Sequence, residues 1–179
     1  MLALTLLRDA LAVSASVAAV VFDERTRRIP NELTYGTAAA ALTLALLQAL
    51  LAGKAALALS SLAAGALLLV LFGALSAIGM LGLGDTKLLC AIGLCVGLPL
   101  SLRVAICVLL AGGVVAAGQA LRRGRLAAVL HNLLHPSRLR GRAVTEPQAN
   151  LHLFGYALAI ALGTTWAVLA RYVPALLPI

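Results

Sequence analysis

The 179-residue chain carries six acidic residues, and two of them have neighbours suited to chemistry. Asp23 closes an apolar run in the stretch Phe22-Asp23-Glu24-Arg25-Thr26-Arg27-Arg28-Ile29-Pro30-Asn31. Asp85 lies in Gly82-Leu83-Gly84-Asp85-Thr86-Lys87-Leu88, with apolar residues on both sides. Gly82 and Gly84 allow the backbone either a positive φ or a close approach to another segment. An ionisable group at the edge of an apolar core is costly, which makes it a functional candidate. Two carboxyls brought together share one proton, because repulsion raises the proton affinity of one of them. Such a pair can activate a water molecule and protonate a leaving amine, the logic of aspartic peptide hydrolysis. Its titration belongs to the pair. The competing reading is of two carboxylates that merely face water at a membrane edge, and whether the side chains meet is a question for the fold.

The other polar residues suggest less. His131 and His135 stand at i, i+4, without a Glu between them or an evident third ligand, so no metal site is expected. Cys90, Cys95 and Cys107 lie in apolar runs at spacings that fit no zinc pattern and read as packing residues. Glu24 would point away from Asp23 on a helix and pair with nearby arginines; Lys87 would snorkel to lipid headgroups. Both are also candidates for contacting a substrate. Glu32 suits the first turn of a helix, His152 an interface, and Glu146 solvent. No cofactor is expected, since water and two carboxyls suffice.

The elements that must position the aspartates are membrane helices. The chain is 63% hydrophobic and 11% charged, which excludes an ordinary soluble domain and a disordered chain. The apolar runs are continuous, unlike the alternation of a membrane barrel. Six of them read as spans, at about 2–22, 33–52, 55–80, 88–100, 102–121 and 151–172. The expected fold is therefore an all-α bundle of about six transmembrane helices, a single domain over 1–179 with one long loop at 122–150. Within that loop, Leu126–Leu134 is either a short amphipathic surface helix or a plain connection; Pro136 and Pro147 break any helix there. Gly93 and Gly97, and Gly155, Ala159 and Gly163, form small-residue stripes that suit close helix packing.

The net charge of +8 follows the positive-inside pattern and comes with no nucleic-acid motif. Arg25, Arg27, Arg28, Lys87, Arg122, Arg123, Arg125, Arg138, Arg140 and Arg142 fall on one side, and Arg8, Lys54, Arg103 and Arg171 on the other. The richer side is expected to be the cytoplasm. Both termini then face outward, the first span is a retained helix and not a signal peptide, and Asp23 and Asp85 share the cytoplasmic edge.

The two motifs together resemble those of the type IV prepilin leader peptidases, within the wider Gly-x-Gly-Asp class of membrane aspartic proteases. The resemblance covers about Val20 to Gly163, and the small size is similar to the tight-adherence, Flp-type pilus branch. It implies a multi-pass enzyme of the bacterial inner membrane that removes the short basic leader of prepilins or pseudopilins, cutting after a glycine at the cytoplasmic face. By motif, Asp23 and Asp85 match the catalytic aspartates and Gly82 and Gly84 the glycines shaping the loop. Pro30 and Asn31 match the start of the second helix, where Pro suits the first turn, and Lys87 matches a common lysine. Two departures stand out. Leu153-Phe154-Gly155-Tyr156 lacks the proline that often precedes the aromatic-glycine pair, and nothing matches the four-cysteine segment of the bifunctional members, so no methyltransferase activity is expected. The expected partners are the precursor and the lipid bilayer. The alternative is a non-catalytic scaffold or a small ion-coupled carrier using the same aspartates, although no internal repeat supports a carrier.

Overall fold

The computed structural model describes residues 1–122 and 156–173. The expected loop beyond Arg122 lies outside the described residues, with its segment Leu126–Leu134, His131, His135, Pro136, Glu146 and Pro147. His152 and the Leu153-Phe154-Gly155 stretch lie outside them too. Every regular element among the described residues is a helix: α1 Leu2–Thr26, α2 Asn31–Ala52, α3 Ala55–Ala77, α4 Leu83–Val96, α5 Leu98–Arg122 and α6 Tyr156–Tyr172. Four of these, α1, α2, α3 and α5 over Leu98–Val115, are long and apolar enough to cross a membrane. The chain is a multi-pass membrane protein.

Runs of Ala and Leu have the best helix propensities, so the punctuation between them decides the architecture. Arg27 adopts a left-handed conformation (φ 53°) and its N–H caps α1 on the Asp23 carbonyl. Pro30, extended, introduces α2, where its missing N–H costs nothing. Gly53 (φ 61°) turns α2 into α3, and Gly97 (φ 78°) separates α4 from α5.

The bundle keeps small side chains inside and large ones outside. Ala12, Ala15 and Ala19 line the buried stripe of α1, and Ala41, Ala45 and Ala49 that of α2. Leu50, Leu59, Val70, Leu110 and Val114 face outward. This distribution suits a bilayer, where leucine gains nothing by leaving lipid and small residues let backbones approach. In the two expected stripes, Gly93 and Gly163 lie closest to a neighbouring helix, Ala159 is fully buried, and Gly155 lies outside the described residues. A Cβ on Gly93 would lie 2.7 Å from the Ala64 carbonyl oxygen of α3, and one on Gly163 would lie 2.6 Å from the Val108 nitrogen of α5. Gly97 belongs to the helix break and not to a packing stripe.

Three boundaries differ from the sequence reading in ways that matter for function. α1 runs past Phe22 to Thr26, so Asp23 is a helical residue near its end. α4 begins at Leu83, ahead of Asp85, which places that carboxyl in the first helical turn and not in a loop. The fourth and fifth runs divide at Gly97 and not after Leu100. At 14 residues, α4 is about 21 Å long, short of the roughly 30 Å hydrocarbon core. At the end of the bundle remote from Asp23, the buried Asp9 carboxylate of α1 accepts hydrogen bonds from Arg171 (3.1 Å) and from the Tyr172 hydroxyl (2.6 Å) of α6.

Candidate active site

A cavity of about 380 Å³ opens where the end of α1 meets the starts of α2 and α4, lined by Asp23, Arg27, Arg28, Ile29, Asn31, Gly82, Gly84, Asp85 and Lys87. Asp23 and Asp85, two crossings apart in the chain, thus line one open cavity. Six residues singled out from the sequence come together there: Asp23, Asn31, Gly82, Gly84, Asp85 and Lys87. Pro30 serves from outside the lining, as the residue that introduces α2.

Asp85 stands ahead of the apolar run of α4, at the mouth of the bundle. Burial pushes its carboxyl up to about 7, the negative charge of Asp23 adds to the rise, and a hydrogen bond from the Gly82 backbone N–H opposes it. Around neutral pH Asp85 is therefore poised between its protonated and ionised forms, in the same cavity as a second carboxyl. Lys87, expected from the sequence to reach headgroups or substrate, also has partners within the bundle. Its Nζ donates to Asn31 Oδ1 at 3.1 Å and stands 5.3 Å from the centre of the Tyr35 ring, within cation–π range. It ties α4 to α2 beside the carboxyls. Glu24 is exposed and outside the lining, and no ion pair joins it to an arginine among the described residues, contrary to the expected pairing.

The glycines act by proximity and not by positive φ. Gly82 is extended (φ −76°, ψ 147°), and Gly84 is not among the glycines with positive φ. A Cβ on Gly82 would sit 3.0 Å from Asp85 Oδ2, whereas one on Gly84 would meet Ile29 Cβ at 3.5 Å, an ordinary contact. Gly82→Ala should accordingly displace the Asp85 carboxyl and lower a reaction run through it by about tenfold, since small misplacements at reacting groups are expensive. Gly84→Ala should stay close to wild type. Rates for the two variants, read beside their unfolding midpoints, check the contrast; equal losses would contradict it.

Arg27, Arg28 and Ile29 line the cavity without having stood out as site residues in the sequence. The only signal was their position just after Asp23, and a basic cluster following a span reads first as orientation.

The model of the type IV leader peptidase family matches residues 10–117, a range containing both aspartates and every residue that lines the cavity. No curated protein and no solved structure matches the chain.

Proposed function

Because the chain belongs to the type IV leader peptidase family, we propose that it is a membrane aspartic endopeptidase that removes the short basic leader from Flp-type prepilins or pseudopilins at the cytoplasmic face of the inner membrane. The single observation that carries this reading is the shared cavity of Asp23 and Asp85. The scissile carbonyl would enter that cavity while the apolar helix of the substrate packs in the bilayer. Asp23, the more open of the two, acts as the carboxylate that takes a proton from the attacking water. Asp85, the more buried, keeps its proton near neutrality and donates it to the carbonyl oxygen as the tetrahedral intermediate forms. Collapse of that intermediate passes a proton to the departing amine and frees the leader. Glu24, exposed next to Asp23, is available to the basic residues of the leader.

Co-expression with an Flp-type prepilin, and separately with a pseudopilin precursor, tests the substrate. A precursor shortened by its leader in membranes containing this chain is the expected result. Intact precursors of both kinds, beside an Asp85-dependent proton flux, would favour a carrier.

The same chemistry predicts a pH profile. Cleavage should require an ionised Asp23 and a protonated Asp85, so its upper limb should fall above about pH 7, where Asp85 loses its proton, steepening towards about tenfold per pH unit. Initial rates in membranes across pH 5–9 (about the range in which such limbs are resolved) check this. A rate that keeps rising past pH 8 (about one unit above the expected limb) would contradict the assignment of the proton to Asp85.

A further inference from the structure

Arg8 lies on α1 about four helical turns from Asp23, takes no part in the cavity, and is only 7% exposed. Its Nη1 donates to Gln48 Oε1 of α2 at 2.6 Å. Its Nη2 donates to Ser61 Oγ of α3 at 2.5 Å and to the Leu94 carbonyl of α4 at 3.0 Å. A guanidinium inside a membrane bundle is expensive, and apolar packing would hold α1, α2 and α3 together without it. The Leu94 carbonyl is what apolar packing cannot serve.

Helix α4 ends inside the bundle, and the last carbonyls of a helix lack intrahelical donors. Gly97 N–H meets the Gly93 carbonyl at 3.1 Å. In a continuous helix Leu98 N–H would meet Leu94, but the chain turns at Gly97 (φ 78°) and Leu98 N–H donates to Ser60 Oγ at 3.0 Å. Arg8 takes the acceptor left over, a cation at the negative end of a helix. Neighbouring serines of α3 thus hold the break from both sides, Ser60 by the Leu98 N–H and Ser61 by the guanidinium. At the other end of the same short helix stands Asp85.

We propose that Arg8, together with Ser60, fixes the axial position of α4 and through it the position of Asp85, so that Arg8 is a positioning residue for the reaction. This rests on reading Asp85 as a reacting carboxyl. A rigid helix transmits a shift at one end to the other, and a displacement of about 1 Å at reacting groups can cost about 10²-fold.

The test uses the full-length protein in lipid nanodiscs, with Arg8→Met, Arg8→Lys and Ser60→Ala. Two quantities are read: leader cleavage, resolved into kcat and KM, and amide hydrogen exchange helix by helix. Arg8→Met should lower kcat by about 10²-fold and leave KM within about twofold, because substrate binding is not what is lost. Exchange should rise at both ends of α4, over Gly84–Lys87 and Gly93–Val96, with α6 unchanged. Arg8→Lys, which keeps a cation and a donor for the Leu94 carbonyl, should restore most of kcat. Ser60→Ala should cost a smaller factor of about three to ten. An unchanged kcat in Arg8→Met, or a loss accompanied by equal loosening of every helix, would overturn the proposal. Should Arg8→Met not be recovered folded, Ser60→Ala decides, and wild-type kcat and exchange at Gly84–Lys87 in that variant would overturn it. If the wild type cleaves no precursor, the peptidase reading fails separately. The exchange measurement then decides alone: raised uptake at Gly84–Lys87 supports the positioning role and unchanged uptake rejects it.

Discussion

Asp23→Asn and Asp85→Asn should each lower leader cleavage by about 10²–10⁴-fold or more, and the second should at the same time make the protein more stable at neutral and alkaline pH. The activity loss follows from the division of labour proposed for the two carboxyls of the cavity. An amide in place of Asp23 cannot accept the proton of water, and an amide in place of Asp85 cannot donate one to the carbonyl oxygen. The stability gain follows from linkage. Asp85 is raised from an ordinary 3.8 to about 7 in the folded chain, so the folded state holds a proton that the unfolded state has already released. Stability therefore falls as pH rises from about 4 to about 7 and stays lowered above that. Asparagine cannot ionise and escapes this loss. After allowing for the partial solvent contact of Asp85, the gain above neutrality should be on the order of 2 kcal/mol, vanishing below about pH 4. Cleavage rates and unfolding midpoints of the two variants at acid and alkaline pH check both halves. An Asp85→Asn protein that keeps its activity would remove Asp85 from the chemistry. One that is destabilised at every pH would show a structural carboxylate instead.

The second large effect is expected at the opposite end of the bundle. Asp9 is only 2% exposed, and Arg171 is its one ion-pair partner among the described residues. Arg171→Met should leave a buried carboxylate with the Tyr172 hydroxyl as its remaining donor. Breaking a buried pair from one side commonly costs about 3–5 kcal/mol. The Arg171 side chain is 39% exposed, so water can compensate in part and a loss of about 2–3 kcal/mol is expected. The double variant Asp9→Asn/Arg171→Met should recover most of that loss, because the uncompensated charge goes with its partner. Unfolding midpoints of the two single variants and the double variant measure the coupling. Additive losses would mean that the pair contributes nothing specific.

Both effects involve residues whose types were legible and whose partners were not. The helices were readable because their Ala- and Leu-rich runs are continuous and punctuated by Arg27, Pro30 and Gly53. The break at Gly97 was not, because hydropathy continues unchanged from Leu88 through Leu100 while the backbone turns. Only the Gly97-Leu98-Pro99 sequence hinted at it. Arg8 counted only towards sidedness, yet it and its neighbour Asp9 are buried against residues far away in sequence. Pairing at that range leaves no local pattern. Arg27 and Arg28 carried a charge signal about sidedness that says nothing about which way a side chain turns, and their place in the cavity stayed hidden. The aspartates stood out because each sits in a motif. Their convergence required the return of the chain through α2 and α3.

The most direct test of the account is the mass of an Flp-type prepilin incubated with membranes holding equal amounts of wild-type or Asp85→Asn protein. A product lighter by its basic leader, cut after a glycine, is expected with the wild type alone. The same product with both proteins, or cleavage elsewhere in the precursor, would contradict it.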